Sequence, residues 1–182
     1  MRLQPSSSLI CIVDIQEKLL PAIPDAHQVI ARTKRIITAA NTLGIPQILT
    51  EQYPEGLGTT PPALSKHLPD AIPKMSFSCC GSESFKNSIP STTQVVVLCG
   101  LETHICISQT THDLLAEGYG VFLAVDAVAS RHEIDHTVAL RQLESAGAVL
   151  TTTEAILFEW CTSAEHPAFQ SIRKLVLDDS FT

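Results

Sequence analysis

A thiol, a carboxylate and an amine each lie near the end of a short apolar run, at Cys106, Asp14 and Lys74. Cys106 falls in the first turn of a predicted helix, with Thr103 as the expected N-cap. The exposed N–H groups and the dipole of a helix start lower the pKa of a thiol and can hold an oxyanion. A nearby ammonium would favour both a thiolate and an ionised carboxylate. Together the three residues would form a cysteine nucleophile with a base beside it, suited to attack on a carbonyl group.

Each of these residues also has a purely structural interpretation. A carboxylate such as Asp14 is equally typical of a helix N-cap or a loop anchor. A cysteine near a helix start is commonly a small buried hydrophobe, and an isolated lysine is usually a solvated charge. Their positions in the fold must therefore decide between the two interpretations.

Short apolar runs alternate with helical patterns along the whole chain, which predicts a parallel sheet covered by helices on both faces. The expected architecture is a three-layer α/β/α domain over residues 1–182, with a doubly wound six-stranded sheet in the order 3-2-1-4-5-6. The predicted strands cover residues 9–13, 45–50, 72–77, 94–100, 121–125 and 148–152. The main predicted helices cover residues 29–43, 63–67, 103–117, 130–146, 154–160 and 167–175.

This strand order brings the first and fourth strands together. Ligands of doubly wound sheets bind beyond the carboxyl ends of the strands, where the order reverses. Asp14 follows the first strand and Cys106 follows the fourth. We therefore expect Asp14 and Cys106 to face each other across that crevice.

Several segments, in this order and spacing, resemble the isochorismatase-like cysteine hydrolases. Three of them match the signatures of that family: IVDIQ at residues 12–16, PKMSF at 73–77 and GLETHIC at 100–106. Further segments resemble the subgroup of isochorismatase domain-containing proteins: TEQYP with GLG at residues 50–58, DA and SR within 126–131, and SAGA at 145–148.

The resemblance implies a six-stranded α/β/α fold and a catalytic triad of Asp14, Lys74 and Cys106. It also implies a cis peptide bond between Leu101 and Glu102. The family's oxyanion hole corresponds to the backbone N–H groups of Glu102 and Cys106.

Two departures from other branches of the family narrow the expected chemistry. Isochorismatases that cleave a vinyl ether lack the nucleophilic cysteine, whereas Cys106 is present here. Nicotinamidases carry an Asp-x-His…His metal site after the second strand, where this chain has residues 51–53 as Glu-Gln-Tyr and no histidine before His67. We therefore expect neither vinyl-ether cleavage nor that metal, and no cofactor.

A zinc hydrolase is a competing hypothesis, because residues 132–136 read His-Glu-Ile-Asp-His and fit the H-E-x-x-H pattern. Ser130 and Glu133 also fit a capping box, which would begin a helix at Arg131 and place His132 in its first turn. A zinc protease needs this motif deep inside a helix and a third ligand. The pattern therefore favours the capping box, although His132, Glu133 and His136 stay open as metal ligands.

Composition limits the partners and the compartment. The chain has 182 residues and a formal net charge of −7, with no basic block, which gives little support for nucleic-acid or anionic-membrane binding. No apolar run is long enough to span a bilayer, and no secretory signal is recognisable. Six cysteines without a CxxC spacing indicate reduced thiols, so a cytoplasmic, reducing location is expected.

The sequence thus predicts a metal-independent cysteine hydrolase of a small carbonyl compound, with an amide as the favoured substrate. The alternative is a non-catalytic binding or scaffold protein of the same fold. A homo-oligomer is expected, with Trp160 and Phe169 as candidate interface anchors. The expected substrate-lining residues are Gln16, Gln52, Tyr53, Phe77 and His104.

Overall fold

Six parallel strands form one sheet in the order β3-β2-β1-β4-β5-β6, which confirms the predicted topology. The computed structural model describes residues 2–178. The strands are β1 (Ser8–Val13), β2 (Gln47–Gln52), β3 (Ile72–Lys74), β4 (Val95–Leu101), β5 (Gly120–Ala129) and β6 (Val149–Thr151).

The two central strands, β1 and β4, consist almost entirely of apolar residues and are buried along their whole length. They pair in register from Ser8 opposite Val95 to Val13 opposite Gly100. Continuous burial requires cover on both faces of the sheet, which explains why neither strand alternates apolar and polar residues.

Helices cover both faces of the sheet and complete the α/β/α architecture. The α-helices are α1 (Ala26–Leu43), α2 (Pro54–Leu57), α3 (Pro62–Ser65), α4 (Glu83–Ser88), α5 (Ser108–Ala116), α6 (Glu133–Ser145), α7 (Thr153–Cys161) and α8 (Phe169–Leu177). Apolar residues of α1, α7 and α8 pack on one face of the sheet, with Ile10 and Ile12. Residues of α4, α5 and α6 pack on the other face, with Leu9 and Cys11.

The structure corrects two expectations about helices. The capping box does not form: α6 begins at Glu133, and its N-cap is His132, whose side chain makes no capping hydrogen bond. Instead the Ser130 hydroxyl lies 3.0 Å from His104 Nδ1. Residues 103–117 do not form one α-helix either, because a π-helical turn (Thr103–Ile107) precedes α5.

Trp160 was expected at an oligomer interface, and the structure shows that this expectation is wrong. Its side chain is fully buried in the core of the chain itself, and its indole N–H donates a hydrogen bond to the Ser8 hydroxyl at 3.1 Å. Phe169 is half-buried and packs against the same core cluster. In residues 2–178, moreover, no helix has both the length and the apolar character needed to cross a bilayer.

Gly100 permits a close approach of β4 to β1 just before the segment that carries Cys106. Its φ is +128°, and a β-carbon built there would lie 2.0 Å from the carbonyl oxygen of Val13. The pairing of β4 with β5 also shifts register between Leu98 and Gly100. There is therefore no room for a side chain at this position, because the atoms that a β-carbon would meet belong to the backbone of Val13 and cannot rotate away.

We expect Gly100→Ala to lower the free energy of unfolding by at least about 3 kcal/mol, from backbone strain and overpacking together. The matched control is Gly118→Ala. Gly118 also has a positive φ, +90°, but nothing lies within 4 Å of a β-carbon built there, so only about 1–2 kcal/mol of strain is expected. Urea denaturation measures both variants, and equal losses would contradict this account of Gly100.

Candidate active site

A buried ion pair joins the ends of β1 and β3. The Lys74 ammonium lies 2.6 Å from Asp14 Oδ2, and neither side chain is exposed to solvent. Asp14 follows the last residue of β1 and has a φ of +53°, which turns the chain directly after the strand. Its backbone N–H donates to the carbonyl of Thr50 on β2, so the turn is anchored to the neighbouring strand.

The remaining hydrogen-bonding capacity of this ion pair is also used. The Thr50 hydroxyl donates to Asp14 Oδ1 at 2.8 Å. Lys74 Nζ donates to the carbonyl oxygens of Ser76 at 3.1 Å and Phe77 at 2.8 Å. A buried ion pair is tolerated only when such partners compensate its desolvation. All three N–H donors of the ammonium are therefore used, and two of them hold the loop that carries Phe77.

The charge of Lys74 is maintained by its partner. Burial opposes the charged form of an amine, but the favourable interactions around the ammonium, led by the Asp14 carboxylate, together outweigh this effect, and the pKa of Lys74 lies above its ordinary value. Lys74 is therefore an ammonium group at neutral pH.

Cys106 lies on the π-helical turn that follows β4. The peptide bond between Leu101 and Glu102 is cis, as the resemblance implied. Cys106 and Asp14 line the same cavity, although they are far apart in sequence. Thr103 does not cap a helix, because its hydroxyl lies 2.9 Å from His136 Nδ1 and the residue is fully buried. π-Helical turns are rare and concentrate at functional sites.

The thiol of Cys106 is not acidified, contrary to the expectation from a helix start. Burial raises its pKa, the negative charge of Asp14 raises it further, and the positive charge of Lys74 only partly offsets these effects. At neutral pH the resting pair is therefore a neutral thiol beside a carboxylate. Nucleophilic attack by this thiol requires transfer of its proton to a base.

The cavity at this point of the sheet has a volume of about 110 Å³. Its walls are Asp14, Leu19, Gln52, Leu57, Phe77, Glu102, Ile105 and Cys106. Gln52 and Phe77 were expected as lining residues. Leu19, Leu57 and Ile105 were missed, because an isolated apolar residue gives no sequence signal that separates a pocket wall from core packing.

Three expected lining residues lie elsewhere. Gln16 is fully buried, and its amide is occupied by the backbone of Gln52 and Gly58, so it connects the end of β2 to the residue that follows α2. The ring of Tyr53 is largely exposed and packs over Gly56. His104 lies toward Ser130, at the end of β5, and is not part of the cavity wall.

The candidate zinc ligands do not converge on a metal site. His132 is the N-cap of α6, and His136 Nδ1 is engaged by the Thr103 hydroxyl. Within residues 2–178, no group of three or more histidine, cysteine, aspartate or glutamate side chains is placed to hold a metal ion.

Glu102 connects the cavity to the end of β5. Its carboxylate accepts hydrogen bonds from the backbone N–H of Arg131 at 2.9 Å and from the guanidinium Nε at 3.0 Å. Glu102 is buried, so this ion pair neutralises the second carboxylate at the cavity.

We expect Lys74→Met to lower the free energy of unfolding by about 3–5 kcal/mol at pH 7, because it leaves the Asp14 carboxylate buried and unpaired. The matched control is Lys86→Met, which removes an exposed ion pair with Glu83 and should change stability by less than about 1 kcal/mol. The double variant Lys74→Met, Asp14→Asn should recover part of the loss in denaturant titrations. A Lys74→Met variant as stable as Lys86→Met would show that the pair does not stabilise the fold.

Comparison with known proteins places these features in a family. The family model described as "Isochorismatase domain" matches residues 8–155. Isochorismatase domain-containing protein 2 of Danio rerio is 41% identical over 181 residues, which cover 98% of this chain and 91% of that protein.

Solved structures agree with this assignment. A structure of the MAR1 ribonuclease from Caenorhabditis elegans is 39% identical, has a TM-score of 0.94, and covers 99% of this chain and 94% of that chain. The YcaC gene product of Escherichia coli, described as an octameric hydrolase of unknown specificity, shares the fold at 22% identity. Its TM-score is 0.86, over 97% of this chain and 95% of that chain.

Proposed function

The chain belongs to the isochorismatase family, and from that premise we propose that it is a metal-independent cysteine hydrolase of small amides. The observation that carries the proposal is the buried Asp14–Lys74 ion pair at the wall of the cavity that holds the Cys106 thiol. A base, a charge-balancing cation and a nucleophile at one cavity are the parts that acyl transfer needs.

In the first step Asp14 takes the proton of Cys106, and the sulfur attacks the carbonyl carbon of the amide. The carbonyl π electrons move to oxygen and form a tetrahedral oxyanion. The backbone N–H groups of Glu102 and Cys106 are the proposed donors to this oxyanion, and both residues line the cavity. The raised pKa of the thiol supports this order of events, because a neutral thiol must lose its proton to react.

In the second step the carbon–nitrogen bond breaks, and Asp14 gives its proton to the leaving nitrogen. This releases an amine or ammonia and leaves a thioester on Cys106. Asp14 then takes a proton from water, the oxygen attacks the thioester, and the sulfur leaves with the proton returned by Asp14. The products are a carboxylic acid and the original thiol.

Lys74 supports both steps as a positioning residue. Its ammonium holds Asp14 Oδ2 and stays charged throughout, so it favours the ionised carboxylate whenever Asp14 acts as a base. The Thr50 hydroxyl fixes the other oxygen, which restricts rotation of the carboxylate.

A second candidate activity is RNA cleavage, which is raised by the name of the Caenorhabditis elegans relative. His104 contacts Ser130 and His136 contacts Thr103, and histidine is a residue type suited to acid–base chemistry on phosphodiesters. The net charge of −7 and the two carboxylates at the cavity oppose an RNA substrate. We expect no hydrolysis of a mixed-sequence RNA, and cleavage that disappears in His104→Ala would favour this candidate instead.

Self-association and a reducing cytoplasmic location complete the proposal. The fold neighbour YcaC is described as octameric, and exposed apolar side chains here include Met75 and Ile134. All six cysteines are free thiols, which suits a reducing compartment. Sedimentation analysis of the full chain tests the oligomeric state.

A panel of small primary amides, followed by release of ammonia, tests the proposed activity. Cys106→Ser should lose at least about 10³-fold in kcat/KM, because the covalent route is removed. The matched control is Cys80→Ser, since Cys80 and Cys106 are equally exposed at 7%. Intact-mass spectrometry should show an acylated wild-type chain that Cys106→Ser does not form. An equal loss in both variants, or binding of amides without turnover, would favour the non-catalytic binding protein.

Asp14→Asn separates two roles of the carboxylate, its effect on the pKa of Cys106 and its proposed role as the base. Its negative charge raises the pKa of Cys106, so its removal should lower that pKa and speed alkylation of Cys106 by iodoacetamide at pH 7. Amide hydrolysis should nevertheless fall by at least about 10²-fold, because no group remains to carry the proton. Rates of labelling mapped by mass spectrometry across pH 6–10 check the first effect. Slower labelling together with intact hydrolysis would falsify the assignment of Asp14 as the base.

A further inference from the structure

Resting on the proposed function, we infer that the substrate is an amide whose acyl group is short, uncharged and apolar. The cavity that holds Cys106 favours such a group through its volume, its apolar walls and the pairing of its charged groups.

The volume limits the length of the acyl group. The cavity measures about 110 Å³, well below the roughly 300–1,000 Å³ of pockets that enclose drug-sized ligands. A short acyl chain therefore fits it, whereas a bicyclic or nucleoside-sized acyl group does not.

The apolar walls of the cavity favour a hydrocarbon acyl group. Four of the eight lining residues are the apolar side chains Leu19, Leu57, Phe77 and Ile105. They come from four separate segments of the chain and line the same cavity. Burial of each CH₂ group of a substrate there should improve binding roughly fourfold, until the space is full.

The charges at the cavity are already paired. Asp14 is bound to Lys74, and Glu102 is bound to Arg131. No lysine or arginine side chain is among the residues that line the cavity. A substrate carboxylate would therefore lose its hydration without gaining a cation.

A cationic substrate would also gain little binding energy at this cavity. Each lining carboxylate has a cationic partner within 3.0 Å, so a substrate ammonium would compete with Lys74 or Arg131. The uncharged acyl group is the one that leaves both ion pairs intact.

Matched amides test this selectivity. Butyramide and β-alaninamide have the same shape and differ in a methyl against an ammonium group. Isovaleramide and malonamate differ in an isopropyl group against a carboxylate of similar shape. We expect kcat/KM to rise from acetamide to butyramide, to fall again for octanamide, and to be at least about 100-fold lower for each charged member of a pair.

Alkylation gives a second measurement that does not depend on turnover. Iodoacetamide and iodoacetate are nearly the same size and differ in charge. The ratio of their rates at Cys106 should exceed the ratio for free glutathione at least tenfold. Leu57→Lys places a cation on the cavity wall and should reduce that ratio, whereas Leu68→Lys, a substitution outside the cavity wall, should not.

The outcomes distinguish the two proposals. If no amide is hydrolysed but Cys106 still prefers iodoacetamide by this margin, the proposed function fails and the character of the cavity stands. If hydrolysis depends on Cys106 but malonamate or β-alaninamide is preferred, the proposed function stands and this inference is overturned.

Discussion

The ion pair between Asp14 and Lys74 is the interaction on which the rest of the site depends. Both side chains are removed from solvent, and two separated buried charges would be far more costly than the pair. The pair therefore forces β3 to end beside the turn after β1, with β2 between them supplying the Thr50 hydroxyl. Because Lys74 also binds the carbonyl of Phe77, the same constraint sets one wall of the cavity.

The same surroundings keep Cys106 as a neutral thiol. Burial raises its pKa, the charge of Asp14 raises it further, and the charge of Lys74 only partly lowers it. A stored thiolate beside the carboxylate would place two anions against one ammonium. A neutral thiol with an ionised carboxylate leaves the site electrically balanced, and the proposed attack keeps that balance because one proton only moves from sulfur to oxygen.

The architecture was predictable because its determinants are local. Continuous apolar runs mark β1 and β4, and the rule for strand order at a switch point places Asp14 opposite Cys106. Other features depend on packing that one sequence does not display. Gln16 is a polar residue near the site, yet its amide is occupied by backbone carbonyls. Trp160 lies on α7, which is rich in apolar residues, so its sequence does not separate the side chains that face the core from those that are exposed, and Trp160 is fully buried. The observed start of α6 differs from the predicted one for a related reason, because the Ser130 hydroxyl pairs with His104 and does not cap the helix.

Reactive groups and selective groups occupy different parts of this fold. Asp14 and Lys74 are fixed at strand ends, where backbone pairing of the sheet determines their separation. The apolar walls lie instead on connecting segments, such as Leu19 before α1 and Leu57 on α2. Strand ends cannot move without disturbing the sheet, whereas loop side chains can change at little cost to stability. In the proposed mechanism, one arrangement of Asp14, Lys74 and Cys106 can therefore serve different acyl groups, and the connecting segments determine which acyl group binds.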